Sequence, residues 1–175
     1  MWIDFGCGGS PRGDVNIDRY YEESPDTTQK IHPKEIKNFI IASAEHTPIR
    51  DKVAYGSSAF HLIEHLFHPP LCLDDMKRVS TKYIVVCVPN HPLISEHNKH
   101  FYSWSQRSLT TLLGQYGKVV YSKTRLMWWN SDRVIKAVSK IPFLALRRLI
   151  YHTLNMVIGT EIISIVDVSE DARDG

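Results

Sequence analysis

Cysteine is scarce in this 175-residue chain: Cys7, Cys72 and Cys87 stand far apart, and no pair has the CxxC spacing of a zinc or redox site. An odd, scattered set excludes a disulfide framework and is expected of reduced thiols in a cytoplasmic protein. No run of about 18 apolar residues is free of charge, so no transmembrane helix is expected. Asp4 breaks the first apolar run, so no secretory leader is expected either. Repeats and low-complexity segments are absent, and a net charge of +2 says little about partners. What remains is the composition of one soluble domain, long enough to bury a core without covalent staples.

Short apolar runs alternate with amphipathic ones. Strands are expected at residues 1–5, 15–18, 39–42, 53–60, 83–88, 119–125 and 161–168. The clearest is 83–88, an unbroken apolar run of the kind buried on both faces and ended by Pro89. Pro33 opens one or two helical turns over 33–38, residues 61–67 read as a turn entering a helix, and helices are expected at 71–79 and 105–116. Residues 20–30 are polar, without a period, and read as loop. Residues 132–157 read as helical, divided at Pro142. The expected organisation is one domain over 1–168, with a helical insertion at about 131–158 and a flexible acidic tail at 169–175. Alternating strands and helices imply an α/β fold with a mostly parallel sheet. Ligands on such sheets bind beyond the strand C-termini, where the strand order reverses. The first glycine-rich loop is therefore the ligand loop.

That loop runs Asp4-Phe5-Gly6-Cys7-Gly8-Gly9-Ser10-Pro11-Arg12-Gly13. It has no Gly-Lys-Ser/Thr for phosphates and magnesium. A dinucleotide fingerprint needs GxGxxG opening into a helix, with an acid ~20 residues on. Here Pro11 replaces the third glycine, and Asp18 comes too early. S-adenosylmethionine (SAM) carries no phosphate; it needs close backbone contact with its methionine portion and an acceptor for the ribose hydroxyls. Asp18, ending the second strand, can accept both hydroxyls. Asp4, ending the first, can order the loop or meet the ligand's ammonium. A tight strand–loop–strand turn with no ligand is the competing reading.

Asp4-Phe5-Gly6-Cys7-Gly8-Gly9 resembles the first motif of class I SAM-dependent methyltransferases. Gly13-Asp14-Val15-Asn16-Ile17-Asp18 is similar to the GxxNxD string of a compact, type 11-like subgroup. Ala42-Ser43-Ala44-Glu45-His46-Thr47-Pro48 resembles the adenine loop, and Leu62-Ile63-Glu64-His65-Leu66 the hxxEHL string after the fourth strand. Met76-Lys77-Arg78-Val79, Val88-Pro89-Asn90 and the stretch from Glu96-His97 to Trp104-Ser105 follow in the family's order. The resemblance implies a Rossmann-like three-layer α/β/α sandwich. Its sheet would have seven strands in the order 3-2-1-4-5-7-6, strand 7 antiparallel. It also implies SAM as cofactor and S-adenosylhomocysteine as product. Departures accompany it. Ser43 stands where an aspartate usually meets the adenine amine, so that contact is weaker or falls to Glu45. Tyr55 replaces an aspartate, the KPGG turn is missing, and only eight residues separate Gly9 from Asp18.

The expected cofactor residues are Asp4, Phe5, Gly6, Cys7, Gly8, Asp18, Ser43, Ala44, Glu45 and Phe60. Candidate catalytic residues are His61, Glu64 and His97, with His65 and His91 also in reach of the chemistry. His97, His100, Tyr102 and Trp104 are expected at the acceptor site. No metal site is expected, since His91, His97 and His100 lack a tight ligand pattern. Methyl transfer is a displacement on an activated sulfonium, in which positioning dominates and a base serves only an acceptor that must lose a proton.

Between Lys123 and Met156 seven Lys or Arg face one Asp. This basic stretch is a helical pair on the sheet, a lid or homodimer surface, or a membrane-surface contact through 128–158. Without a recognised RNA module its charge is a weak nucleic-acid signal. The function expected is methylation of a small-molecule, glycan or lipid-linked acceptor. The alternatives are an RNA or protein methyltransferase that docks through the insertion, and an inactive SAM-binding accessory protein.

Overall fold

The structure is a computed structural model describing residues 1–20, 22–23, 30–31, 33–90, 100–125 and 160–169, with backbone alone at 22–23, 30–31 and 33. The expected insertion at 131–158 and the tail beyond Ser169 lie outside the described residues. So do His91 and His97.

Seven strands form one sheet: β1 (Trp2–Phe5), β2 (Val15–Asp18), β3 (Phe39–Ile41), β4 (Ala54–Phe60), β5 (Ser80–Pro89), β6 (Lys118–Arg125) and β7 (Glu161–Asp167). Their order is β3-β2-β1-β4-β5-β7-β6. Only β7 runs antiparallel to its neighbours, β5 and β6. This is the Rossmann-like order expected. β5 sits near the centre, and Ile84, Val86 and Val88 on it are fully buried. It begins three residues before the apolar run, at Ser80. The Ser80 hydroxyl donates to that of Ser57 at 2.9 Å, so two polar residues enter the core as a satisfied pair.

Helix α1 (Pro69–Val79) opens on two prolines, where missing N–H groups cost nothing. Cys72, Leu73, Met76 and Val79 form its buried stripe. Residues 61–67 lead into it through one 3₁₀ turn, Ile63–His65. Helix α2 (Gln106–Leu113) is capped reciprocally, the Ser108 N–H donating to Ser105 Oγ and the Ser105 N–H to Ser108 Oγ. It ends at Gly114, short of the expected Tyr116. The Tyr116 hydroxyl donates to the Pro70 carbonyl at 3.3 Å and ties α2 to the start of α1.

Residues 33–38 contain one of the helical turns expected there, the 3₁₀ turn Pro33–Glu35. One feature was not legible in advance. Within the stretch read as loop, Glu22–Glu23 pairs antiparallel with Lys30–Ile31. Among the described residues no helix is long and apolar enough to cross a membrane.

Candidate functional site

Parallel strands usually need a helical crossover, yet residues 6–14 alone join β1 to β2. Hydrogen bonds replace the helix. Asp4 Oδ2 accepts from the Arg12 N–H and Asp4 Oδ1 from the Ser58 hydroxyl. Asn16 accepts from the Gly13 N–H and donates to the Gly13 carbonyl. The Arg12 guanidinium lies 4.5 Å from the centre of the Phe60 ring. Asp4 thus ties the loop, through Arg12, to β4, through Ser58. Burial pushes its carboxyl above the ordinary value, against the Ser58 and Arg12 bonds.

The strand order reverses at β1, with β2 on one side and β4 on the other. A cleft open to solvent lies at the C-terminal ends there, where ligands of open α/β sheets bind. Gly6, Gly8, Asp18, Ser43, Ala44 and Glu45 line it, joined by Arg19, Tyr20, His61, Leu62, His65 and Leu66. Asp4, Phe5, Cys7 and Phe60 are not in the lining. Phe5 is fully buried in the main core, and Cys7 packs with Ile36.

Gly6 and Gly8 have φ of 64° and 53°, which a side chain resists. A Cβ on Gly6 would come within 2.6 Å of Leu62 Cδ1. Bare main chain therefore faces the cleft. Beside it, Asp18 Oδ2 accepts from the Gly8 N–H at 2.8 Å and Oδ1 from the Tyr20 N–H at 3.0 Å. The carboxylate is oriented by the fold, and each oxygen keeps a second lone pair.

The far wall is the turn Ser43–His46. The Ser43 hydroxyl accepts from the Glu45 N–H at 3.3 Å, and the Ala42 N–H donates to the Asp18 carbonyl. Arg78 holds this wall from behind, pairing with Asp75 at 2.7 Å and Asp51 at 2.6 Å and donating to the Thr47 and Ile49 carbonyls. Sequence patterning placed Arg78 at a helix end; its role as a clamp comes from contacts nearly thirty residues away.

At the remaining wall His61 has a φ of 51°, rare for a residue with a side chain. Its N–H donates to the Cys87 carbonyl. Its Nε2 lies 3.1 Å from Glu161 Oε2 and its Nδ1 3.5 Å from Glu64 Oε1. Arg125 Nε sits 2.6 Å from the other Glu161 oxygen. Burial works against charge on His61, but its contacts with Cys87, Glu161 and Glu64 outweigh burial and raise its pKa to about 11. The ring carries its proton at neutral pH, so it holds charge rather than collecting protons as the expected base would. Glu64, the other catalytic candidate, is fully buried behind this wall. His100 meets His65 edge to face, with ring centres 4.6 Å apart. Tyr102 stacks on Trp104, and its hydroxyl donates to the Phe67 carbonyl. Phe67 and Phe101 stack at 4.2 Å and remain 69% and 52% exposed; like His100, Tyr102 and Trp104, they are not in the cleft lining. All three thiols are buried and unpaired; burial pushes Cys7 up to about 12 and raises Cys72 and Cys87 as well.

No protein-family model matches the sequence, and no curated protein matches it. Solved structures match over almost the whole chain. One is a Haloferax volcanii methyltransferase in complex with the Trm112 methyltransferase activator, 13% identical, with a TM-score of 0.67 over 97% of this chain and 82% of that one. A SAM-dependent methyltransferase of Thermotoga maritima gives 0.65 at 11% identity, over 96% and 82%. One from Archaeoglobus fulgidus gives 0.61 at 15% identity, over 95% and 85%. With the strand order above, these matches give the chain the class I SAM-dependent methyltransferase fold.

Proposed function

We propose that the cleft binds SAM and that the chain transfers its methyl group to a small-molecule, glycan or lipid-linked acceptor. The observation that carries this reading is the pairing of an oriented Asp18 carboxylate with bare main chain at Gly6 and Gly8, at the reversal of strand order. The residues fit the cofactor. Asp18 offers lone pairs to a sugar diol, and Gly6 and Gly8 admit a ligand against the backbone. Ser43, Ala44 and Glu45 offer polar and main-chain edges to a base. Leu62 and Leu66 supply apolar contact. When bound, SAM supplies a methyl group already activated on sulfur.

The chain's own work is then positioning. His61, held as a cation by Glu161, fixes the wall between cofactor and acceptor sides. The Phe67–Phe101 pair and Tyr102 offer an apolar, ring-lined approach suited to a small acceptor. His65, His100 and Trp104 lie beside it. An inactive SAM-binding accessory protein is the second reading. It is favoured by Ser43, whose hydroxyl is engaged within its own turn rather than presenting a carboxylate to an adenine amine.

The test is calorimetry with SAM and S-adenosylhomocysteine, followed by measurement of S-adenosylhomocysteine release over a panel of hydroxyl- and amine-bearing acceptors. Binding with turnover supports the enzyme. Binding without turnover for any acceptor favours the accessory protein. Absence of binding at millimolar ligand removes both.

A further inference from the structure

Glu64 is the most unusual charged residue among those described. Its side chain is 1% exposed, and neither carboxylate oxygen makes a hydrogen bond. Its ion pair with His61, Nδ1 to Oε1 at 3.5 Å, is shared with Glu161 through the ring's other nitrogen and leaves Oε2 without a partner. A buried carboxylate is costly unless it is paired, hydrogen-bonded or bound to a metal.

Two imidazoles converge on it. His65 is its chain neighbour in the same 3₁₀ turn, and His100, beyond β5 in the chain, meets the His65 ring. The Phe101 N–H donates to the Glu64 carbonyl at 2.8 Å, which pins His100 beside the turn. One ligand atom from each of Glu64, His65 and His100 lies within 4.8 Å of the others. Modest side-chain adjustment brings such a trio around an ion with ligand bonds of about 2.0–2.2 Å.

We infer that Glu64, His65 and His100 form a binding site for a divalent transition-metal ion, zinc being the best-matched. Two imidazoles and one carboxylate are the donors of zinc or ferrous sites; calcium and magnesium prefer all-oxygen shells. His65 also lines the cleft, so the ion would sit in the cleft wall. Three protein ligands leave a fourth position for water or an acceptor oxygen. The neighbouring trio of His61, Cys87 and Glu161 is no rival. Arg125 and His61 already supply cationic partners to both oxygens of Glu161 there.

The experiment uses the whole chain stripped of metal, without SAM, so its outcome is independent of the methyl-transfer reading. Zinc chloride is titrated by calorimetry, and retained zinc is counted after gel filtration. The same is done for Glu64→Gln, His100→Ala and, as a surface control, His68→Ala. The expected result is one zinc per chain, weakened in Glu64→Gln and His100→Ala by more than the ~10–100-fold typical of losing an outer-shell partner, and unchanged in His68→Ala. Sub-stoichiometric zinc, or equal affinity in all variants, overturns the site. If a variant fails to fold, cobalt(II) added to the wild-type chain decides. A visible absorption band of a four-coordinate cobalt site supports the proposal, and its absence overturns it.

Discussion

Replacing Asp18 with alanine separates two jobs that one carboxylate holds. In the ligand-free cleft it accepts the Gly8 and Tyr20 N–H groups at 2.8 and 3.0 Å. With a nucleoside present, its remaining lone pairs meet the ribose hydroxyls. The first job concerns folding: two partly buried N–H groups lose a charged acceptor, and water at the cleft recovers part of the loss. About 1–3 kcal/mol of stability should go. The second job concerns affinity, where a hydrogen bond to a charged group contributes about 1.5–3 kcal/mol, or roughly 10–150-fold in S-adenosylhomocysteine binding. A ligand-side deletion tells them apart. Calorimetry with S-adenosylhomocysteine and its 2′-deoxy analogue, on wild type and Asp18→Ala, closes a double-mutant cycle. The missing hydroxyl should cost the wild type about 1.5–3 kcal/mol and the variant close to nothing. Equal loss in both proteins would mean that Asp18 shapes the loop without touching the sugar, and the reasoning would fail.

Gly6→Ala should cost about 1–2 kcal/mol, because a Cβ is forced into the left-handed region. It should also weaken S-adenosylhomocysteine by displacing Leu62; urea unfolding and calorimetry check the pair. Arg78→Met should cost about 2 kcal/mol, between the ~0–1 of an exposed ion pair and the ~3–5 of a broken buried one, since Asp75 loses its cation and keeps its Thr47 hydrogen bonds. Thermal unfolding reads the loss, and cofactor affinity should fall with it as the Ser43 wall loosens. For Glu161, burial pushes the carboxyl up, but His61, Arg125 and Cys87 outweigh burial and hold it below its ordinary 4.5. Its contribution is therefore complete above pH 4.5 and drains as pH falls through the depressed value. Glu161→Gln should flatten that acid limb in a pH series of urea unfolding curves; an unchanged limb would remove Glu161 from the account.

The sheet was legible because its strands carry local signals: the β-branched run of β5, the turn residues after β1, and the short apolar β2 and β3. The cleft was legible in part for the same reason. Gly6, Gly8, Asp18 and the Ser43–Glu45 turn sit at strand ends, where local sequence and position in the fold coincide. What stayed hidden depends on distant partners. Nothing near Glu161 in sequence announces His61 and Arg125 as its neighbours, and nothing near Glu64 announces His100. Asp4 looks like a ligand contact by position, yet it is 1% exposed, bonded to Ser58 and Arg12, and outside the cleft lining. The Ser57–Ser80 pair extends β5 by a contact that hydrophobic periodicity cannot see.

A nitrogen–proton correlation spectrum of the labelled chain, recorded while S-adenosylhomocysteine is added, tests the central claim most directly. The amides of Gly6, Gly8, Tyr20, Ala44, Glu45 and Leu62 should shift together and saturate at one ligand per chain, while those of α2 stay still. A spectrum that does not move at millimolar ligand, or that moves chiefly away from this end of the sheet, would contradict it.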